Sequence, residues 1–218
     1  LLKVVLGIGT GFLDEKVSML DPGVGTGTCL RDVILRTHTE FLKHHKQDEW
    51  NDFVETSLLH RISGYELMIA PYAIAHLKIA LALHETGYTP TTNGRVGIYL
   101  KNTLRPYSSV NCRANQSQLT KIIDKEANDA SRIYTGAVQV IIGGPPFRED
   151  SWNKEAWIID LLSSYKMEPN TKIKLDEKNL RPLSNDYVKF LRYAQESVKD
   201  NENAIVAFLL PHTYIDNL

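Results

Sequence analysis

One run near the amino terminus limits what this chain can fold into more than any other: Val17-Ser18-Met19-Leu20-Asp21-Pro22-Gly23-Val24-Gly25-Thr26-Gly27-Thr28. A short apolar strand ends on an acid, a Gly-x-Gly-x-Gly turn follows, and helical spacing begins at once. From Thr28 to His45 the apolar residues Leu30, Val33, Ile34, Phe41 and Leu42 fall on one side. A strand, a glycine turn and a helix in that order build a ligand site at the carboxyl end of a parallel sheet. Glycine lets the backbone turn tightly and approach a ligand closely. The turn has two readings. One is a dinucleotide loop, with a pyrophosphate on the helix amino terminus. The other is an S-adenosylmethionine loop, where no phosphate exists and an acid faces the ammonium of the methionine part. Asp21 favours the second, because a carboxylate at the strand tip repels a pyrophosphate. Asp21, Pro22, Gly23, Gly25 and Gly27 are the cofactor residues on this reading.

The remaining chain alternates apolar runs with helical stretches, the pattern of a doubly wound, mostly parallel sheet. Helical pieces are expected over 48–61, 71–85, 117–131 and 184–198, with Pro71 opening the second and Gly87 closing it. Strands are expected to end at Leu67, to cover 95–100 and 139–142, and to form a fifth element over 204–210. The stretch from Arg148 to Pro182 carries Trp152, Trp157 and Tyr165 and reads as a long, functional loop. A second glycine alternation, Gly7-Ile8-Gly9-Thr10-Gly11, follows Val4-Val5-Leu6. Only residues 12–16 separate it from the strand at Val17, too few for the helix of a βαβ unit. Residues 1–16 are therefore read as a flexible amino-terminal connection, and 17–218 as the domain proper.

Two further places carry chemistry. Glu66 stands at the tip of the second strand, where an acid accepts both hydroxyls of a ribose; the plainer alternative is a surface Glu at a helix start. Asn102 and Thr103 form the turn after the third strand, where an adenine ring would lie. The second place is Val140-Ile141-Ile142-Gly143-Gly144-Pro145-Pro146-Phe147. The amine on an adenine ring is a poor nucleophile, because its lone pair is delocalised. Hydrogen-bond acceptors that draw its N–H groups out of plane favour the positive charge that develops there. A side-chain amide followed by two prolines supplies such acceptors, since prolines stiffen a loop and remove donors. An aromatic ring then stacks on the base turned out of the duplex. Pro145, Pro146 and Phe147 fit this scheme. Gly144 occupies the amide position and offers only a backbone carbonyl. The bland alternative is a Gly-Gly-Pro-Pro turn that ends a strand.

On these residues the chain resembles the N6-adenine DNA methyltransferase domain of type ISP and related single-chain restriction–modification enzymes. The carriers are Leu20-Asp21-Pro22 with the glycine loop, Gly64-Tyr65-Glu66-Leu67-Met68-Ile69-Ala70-Pro71-Tyr72, and Val96-Gly97-Ile98-Tyr99-Leu100 with Asn102-Thr103-Leu104. Ile142-Gly143-Gly144-Pro145-Pro146-Phe147, Asp186-Tyr187-Val188-Lys189-Phe190 and His212-Thr213-Tyr214-Ile215-Asp216-Asn217 complete the set. The resemblance implies a Rossmann-like S-adenosylmethionine-dependent methyltransferase fold, truncated here after strand five. It implies S-adenosylmethionine as cofactor and double-stranded DNA with a flipped adenine as substrate. It also implies partner domains in a larger polypeptide: a recognition domain after the catalytic domain, and a nuclease and a helicase-type translocase before it. Gly144 departs from the family's Asn, and Phe147 from its commoner Tyr.

Composition narrows the remaining choices. A chain of 218 residues, 43% hydrophobic, suffices for one α/β domain with a sizeable core. A net charge of -1 lacks the basic excess of a stand-alone DNA-binding module, so any DNA-binding surface is expected to be local or to lie on other parts of a larger polypeptide. Cys29 and Cys112 have no metal-ligand spacing and read as thiols of a reducing, cytoplasmic compartment. No apolar run reaches the roughly 18 residues of a membrane span. The adjacent pair His44-His45 does not share a helix face and reads as solvated rather than metal-binding. His76 and His84 read as packing or surface groups, and His212 as a candidate lining residue of a substrate cleft. No metal site is expected. Three functions remain open: an adenine-N6 DNA methyltransferase impaired at Gly144, a non-catalytic cofactor- or DNA-binding module, and a nucleotide-dependent oxidoreductase.

Overall fold

The computed structural model describes residues 1–92, 94–105, 118–130, 138–149 and 151–212. Cys112 and the segment Thr213 to Leu218 lie outside the described residues. Strands β1 (Val17–Asp21), β2 (Ile62–Glu66), β3 (Gly97–Leu100), β4 (Val138–Gly143) and β5 (Asn203–Phe208) form one sheet in the order β3-β2-β1-β4-β5. Every pairing is parallel. All five strands therefore end at one edge. The sheet order reverses between β1 and β4, which opens a crevice there.

Helices cover both faces, as a parallel sheet requires. On one face pack α2 (Thr28–Phe41) and α5 (Ile69–Glu85), with a broken helical segment between them in sequence. That segment runs through α3 (Trp50–Phe53), a π turn (Val54–Leu58) and α4 (Leu59–Arg61). Met19, Leu30, Ile34, Trp50, Ile62, Ile79 and Ile98 form this core. On the other face α7 (Ala156–Leu162) and α8 (Asp186–Val198) pack over Leu20 and Tyr65 through Ile158, Phe190 and Tyr193. Successive strand residues point to opposite faces, so Met19 and Leu20 serve different cores. A further helix, α6 (Gln118–Asp129), is fastened to β3. Its buried Glu126 accepts two hydrogen bonds from Arg95, at 2.8 and 3.0 Å, and one from the Leu100 N–H.

Several expectations shift in detail. Helix α2 stops at Phe41, and His44 and His45 lie beyond it, each beside its own glutamate, Glu40 and Glu49. Helix α5 begins at Ile69, which puts Pro71 within its first turn. Proline is tolerated there because first-turn N–H groups have no partner inside the helix. The stretch after Arg148 is less loop-like than its composition implies, since it contains α7 and a 3-10 turn at Ser163–Lys166. The amino-terminal connection is also structured: it holds α1 (Leu2–Leu6) and a 3-10 turn at Gly11–Leu13. Its Phe12 and Leu13 pack on the first core.

The buried Arg61 fastens this connection to the sheet. Its guanidinium donates to the carbonyls of Phe12, Asp14 and Val17 at 2.8, 3.0 and 2.7 Å. A buried carbonyl that loses its donor retains the full desolvation cost. Arg61→Ala is therefore expected to lower unfolding stability by about 3 kcal/mol, read as an earlier midpoint in urea. An unchanged midpoint would show that the connection contributes nothing to the fold.

Candidate functional site

The glycine loop after β1 is held from the neighbouring strand. The Val24 N–H donates to the Tyr65 carbonyl at 3.0 Å, and the Gly27 N–H donates back to Val24 at 2.9 Å. Gly25 and Gly27 adopt positive φ, 56° and 83°, a region that side chains disfavour. At Gly27 a Cβ would also press to 3.2 Å from Ala75, so the loop meets α5 backbone to backbone. Gly64 on β2 makes room for the loop: a Cβ there would stand 2.1 Å from Val24 Cγ2.

Asp21 is 1% exposed at the tip of β1. Its Oδ1 accepts from the Gly23 N–H at 3.0 Å. On its other side lies Gly143, where a Cβ would fall 2.5 Å from Oδ1. Only glycine at the end of β4 admits this carboxylate. Burial pushes the Asp21 carboxyl up to about 7, against the Gly23 N–H, and the nearby Glu66 carboxylate raises it further. The Cys29 thiol, at the start of α2, donates to Asp21 and is itself pushed up, first by burial and then by the Asp21 charge.

The other cofactor candidates divide. Glu66 ends β2 beside the loop: Oε2 accepts from the Gly25 N–H at 2.9 Å and Oε1 from the Met68 N–H at 2.7 Å. A carboxylate offers about four acceptor positions, so acceptors remain for hydroxyl groups. The buried Thr103 hydroxyl donates to the Pro22 carbonyl and clamps the loop from β3. Asn102 turns away from the loop. Its Oδ1 caps the Leu104 N–H at 3.0 Å and its Nδ2 donates to Asn153 at 2.8 Å. The structure thus gathers Asp21, Pro22, Gly23, Gly25, Glu66 and Thr103 into one connected cluster. Gly27 forms its floor, and Asn102 binds a different loop.

The Pro-Pro loop meets this cluster across the β1–β4 crevice. A Cβ on Gly23 would lie 3.9 Å from both the Gly144 carbonyl oxygen and the Pro145 Cα. Pro145 is buried, while Gly144, Pro146 and Phe147 are exposed. Position 144 has no positive φ, and a Cβ there meets nothing within 4 Å. Phe147 lines a cleft of about 460 Å³ together with Glu149, Asn179, Arg181, Pro182, Asn185, Tyr187 and Pro211. His212, one residue beyond Pro211, is not among the lining residues.

Three groups escaped the sequence reading. Lys101 is buried directly after β3, with its Nζ 4.3 Å from the centre of the Tyr65 ring, and burial lowers it to about 7. Its only sequence signal is a lysine between a buried strand and Asn102. Asn153 joins Asn102, Asp186 and the buried Lys189, whose Nζ donates to the Asn153 carbonyl at 2.6 Å. Nothing in the local pattern around Asn153 announces this. Cys29 read as an ordinary thiol and proves to touch the acid at the strand tip.

Neither a protein-family model nor a curated protein sequence matches the chain. Solved structures do. A DrdV–DNA complex is 23% identical with a TM-score of 0.62, over 93% of this chain and 18% of that one. The type ISP restriction-modification enzyme LlaGI, a nuclease-deletion mutant in complex with a DNA substrate mimic, is 19% identical with a TM-score of 0.63, over 95% and 16%. The ATP-dependent type ISP restriction-modification enzyme LlaBIII, bound to DNA, is 20% identical with a TM-score of 0.61, over 98% and 14%. The fold is therefore shared with one region of these proteins. The present chain spans less than a fifth of each. Among the described residues no helix is long and apolar enough to cross a membrane.

The raised Asp21 carboxyl links stability to pH. Its value is about 7 in the fold and about 3.9 in an unfolded chain, so the folded state binds the extra proton between these limits. Stability from this group is present at low pH and falls as pH rises through that window. Asp21→Asn removes the charge and should flatten the decline. Unfolding free energies measured across that pH range should therefore diverge between the two proteins, with the variant gaining as pH rises. Parallel profiles would contradict the burial argument.

Proposed function

We propose that this chain is the S-adenosylmethionine-binding, catalytic region of a DNA methyltransferase acting on adenine N6, within a restriction–modification polypeptide, and that Gly144 impairs its methyl transfer. The observation that carries this reading is the adjacency of two loops: the glycine loop of β1 and the Gly-Gly-Pro-Pro-Phe loop of β4 leave neighbouring strands at the switch point of the sheet, with Gly143 directly beside the Asp21 carboxylate. Similarity of fold to restriction-modification enzymes solved with DNA supports the substrate class.

The residues fit the cofactor. Asp21 is a buried carboxylate whose charge is disfavoured by burial and by a second carboxylate, Glu66. A cationic group nearby relieves both penalties, and the ammonium of S-adenosylmethionine is such a group. Glu66, anchored through Gly25 and Met68, keeps acceptor positions for the ribose hydroxyls. Repulsion between these acids and a pyrophosphate weighs against a dinucleotide. When bound, the cofactor supplies an electrophilic sulfonium methyl. On the substrate side, the Pro145 carbonyl accepts from the adenine amine, and the exposed Phe147 ring stacks on the flipped base at the mouth of its cleft. Pro145 and Pro146 bring carbonyl acceptors without N–H donors of their own. Gly144 cannot supply the side-chain amide oxygen that would hold the second N–H.

That gap favours one second reading, a module that binds cofactor or DNA without catalysis. Position 144 separates the two, because a Cβ there meets nothing within 4 Å and a side chain can be introduced. One well-placed hydrogen-bonding group is worth about 100-fold in rate. Gly144→Asn is therefore expected to raise methyl transfer from labelled S-adenosylmethionine to an oligonucleotide with an unpaired adenine by about that factor. Calorimetry should show cofactor binding by both proteins. Binding by both with no transfer by either would establish the non-catalytic module, and no binding by either would remove the cofactor reading.

A further inference from the structure

Directly after Phe147 the chain presents a paired cation and aromatic ring. The Arg148 guanidinium carbon lies 4.1 Å from the centre of the Trp152 ring. Trp152 is 79% exposed. A single exposed apolar side chain is ordinary, but this one stands on an unusually well-fastened backbone. The Asp186 N–H, at the start of α8, donates to the Arg148 carbonyl at 2.9 Å. The Ser184 hydroxyl donates to the Glu149 carbonyl at 3.0 Å, and the Ser151 N–H donates to the Ser184 carbonyl at 3.3 Å. Asn153, next to Trp152, is held by Lys189, Asp186 and Asn102. Ser151, on its other side, is 1% exposed. The ring is thus displayed from a rigid base, and displayed to solvent.

The surroundings indicate what such a display fits. Phe147 and Glu149, on either side of Arg148 in sequence, both line the cleft, and Arg181 supplies a guanidinium to it. A chain with net charge -1 has no general attraction for a polyanion, so contacts with nucleic acid must come from local groups like these. An indole face stacks on any nucleobase, and a guanidinium matches phosphate oxygens in a planar fork. We propose that Arg148 and Trp152 form a stacking platform for a DNA nucleotide flanking the one that enters the Phe147 cleft, with Arg148 also bracing that nucleotide's phosphate. This rests on the DNA reading of the site and adds residues that neither motif contains.

The platform is tested with the whole chain and a fluorescein-labelled duplex that carries an unpaired adenine. Anisotropy titration of Trp152→Ala should give binding roughly tenfold weaker than wild type, with Trp152→Phe recovering most of the loss and an unchanged urea midpoint certifying the fold. A 5-iododeoxyuridine placed beside the unpaired adenine should photo-crosslink to the tryptic peptide spanning 149–154. Wild-type affinity in Trp152→Ala, or crosslinks that map elsewhere, would overturn the platform and leave the DNA reading intact. A wild-type chain that binds no duplex at any concentration overturns the DNA reading and the platform together. If Trp152→Ala binds DNA normally but loses association with a protein partner, the ring is a protein contact and the platform is refuted.

Discussion

Val17 to Leu20 pairs in parallel with Val138 to Ile141, in register along the strands, so that β1 and β4 end side by side. From that shared edge the connections diverge. The chain leaving β1 crosses one face of the sheet to β2, and the chain leaving β4 crosses the other through α7 and α8 to β5. Two loops from distant parts of the sequence are thereby pressed together with no helix between them. The tolerance is small: Asp21 fits at the end of β1 only because β4 ends in Gly143, and the glycine loop lies flat only because β2 carries Gly64. Much of the remaining structure keeps this junction in place.

The junction concentrates negative charge. Asp21 is buried beside the Glu66 carboxylate, and the Gly23 N–H offsets only part of the cost of its ionisation. Binding of a cation with hydroxyl groups would offset the rest, and in linkage terms it would stabilise the fold most where Asp21 is ionised, above about pH 7. The proposed cofactor has both features. On the proposed reading Gly144 bears on a separate quantity, the rate of transfer, since a Cβ at position 144 meets no neighbour in either loop. Fold and cofactor site can persist in a chain whose rate of transfer has been lost.

The sequence reveals those parts of this design that follow from local rules. Alternating apolar runs mark all five strands, and the acid, the glycines and the prolines mark the two loops, because each residue type there has a backbone reason. It reveals less where a role depends on distant partners. Thr103 and Asn102 are adjacent and look equivalent, yet Thr103 reaches the Pro22 carbonyl while Asn102 joins Asn153. Which neighbour faces which strand is a tertiary fact. Arg61 carries no sequence signal beyond its place at the end of a helical piece, and its role emerges from the three carbonyls that converge on it. The 148–182 stretch hides its helix because Ala156–Leu162 is short and its charged flanks resemble loop. Gly7 to Gly11 spells the same alternation as the glycine loop after β1, but it forms a helix cap and a 3-10 turn.

We propose one S-adenosylmethionine site, where β1 and β4 diverge. A crystal structure of the chain grown with S-adenosylhomocysteine tests this most directly. Ligand density is expected over Gly23 and Gly25, with the amino group near Asp21 and the ribose hydroxyls on Glu66. Density elsewhere on the sheet, or a crevice still empty at saturating ligand, would contradict it.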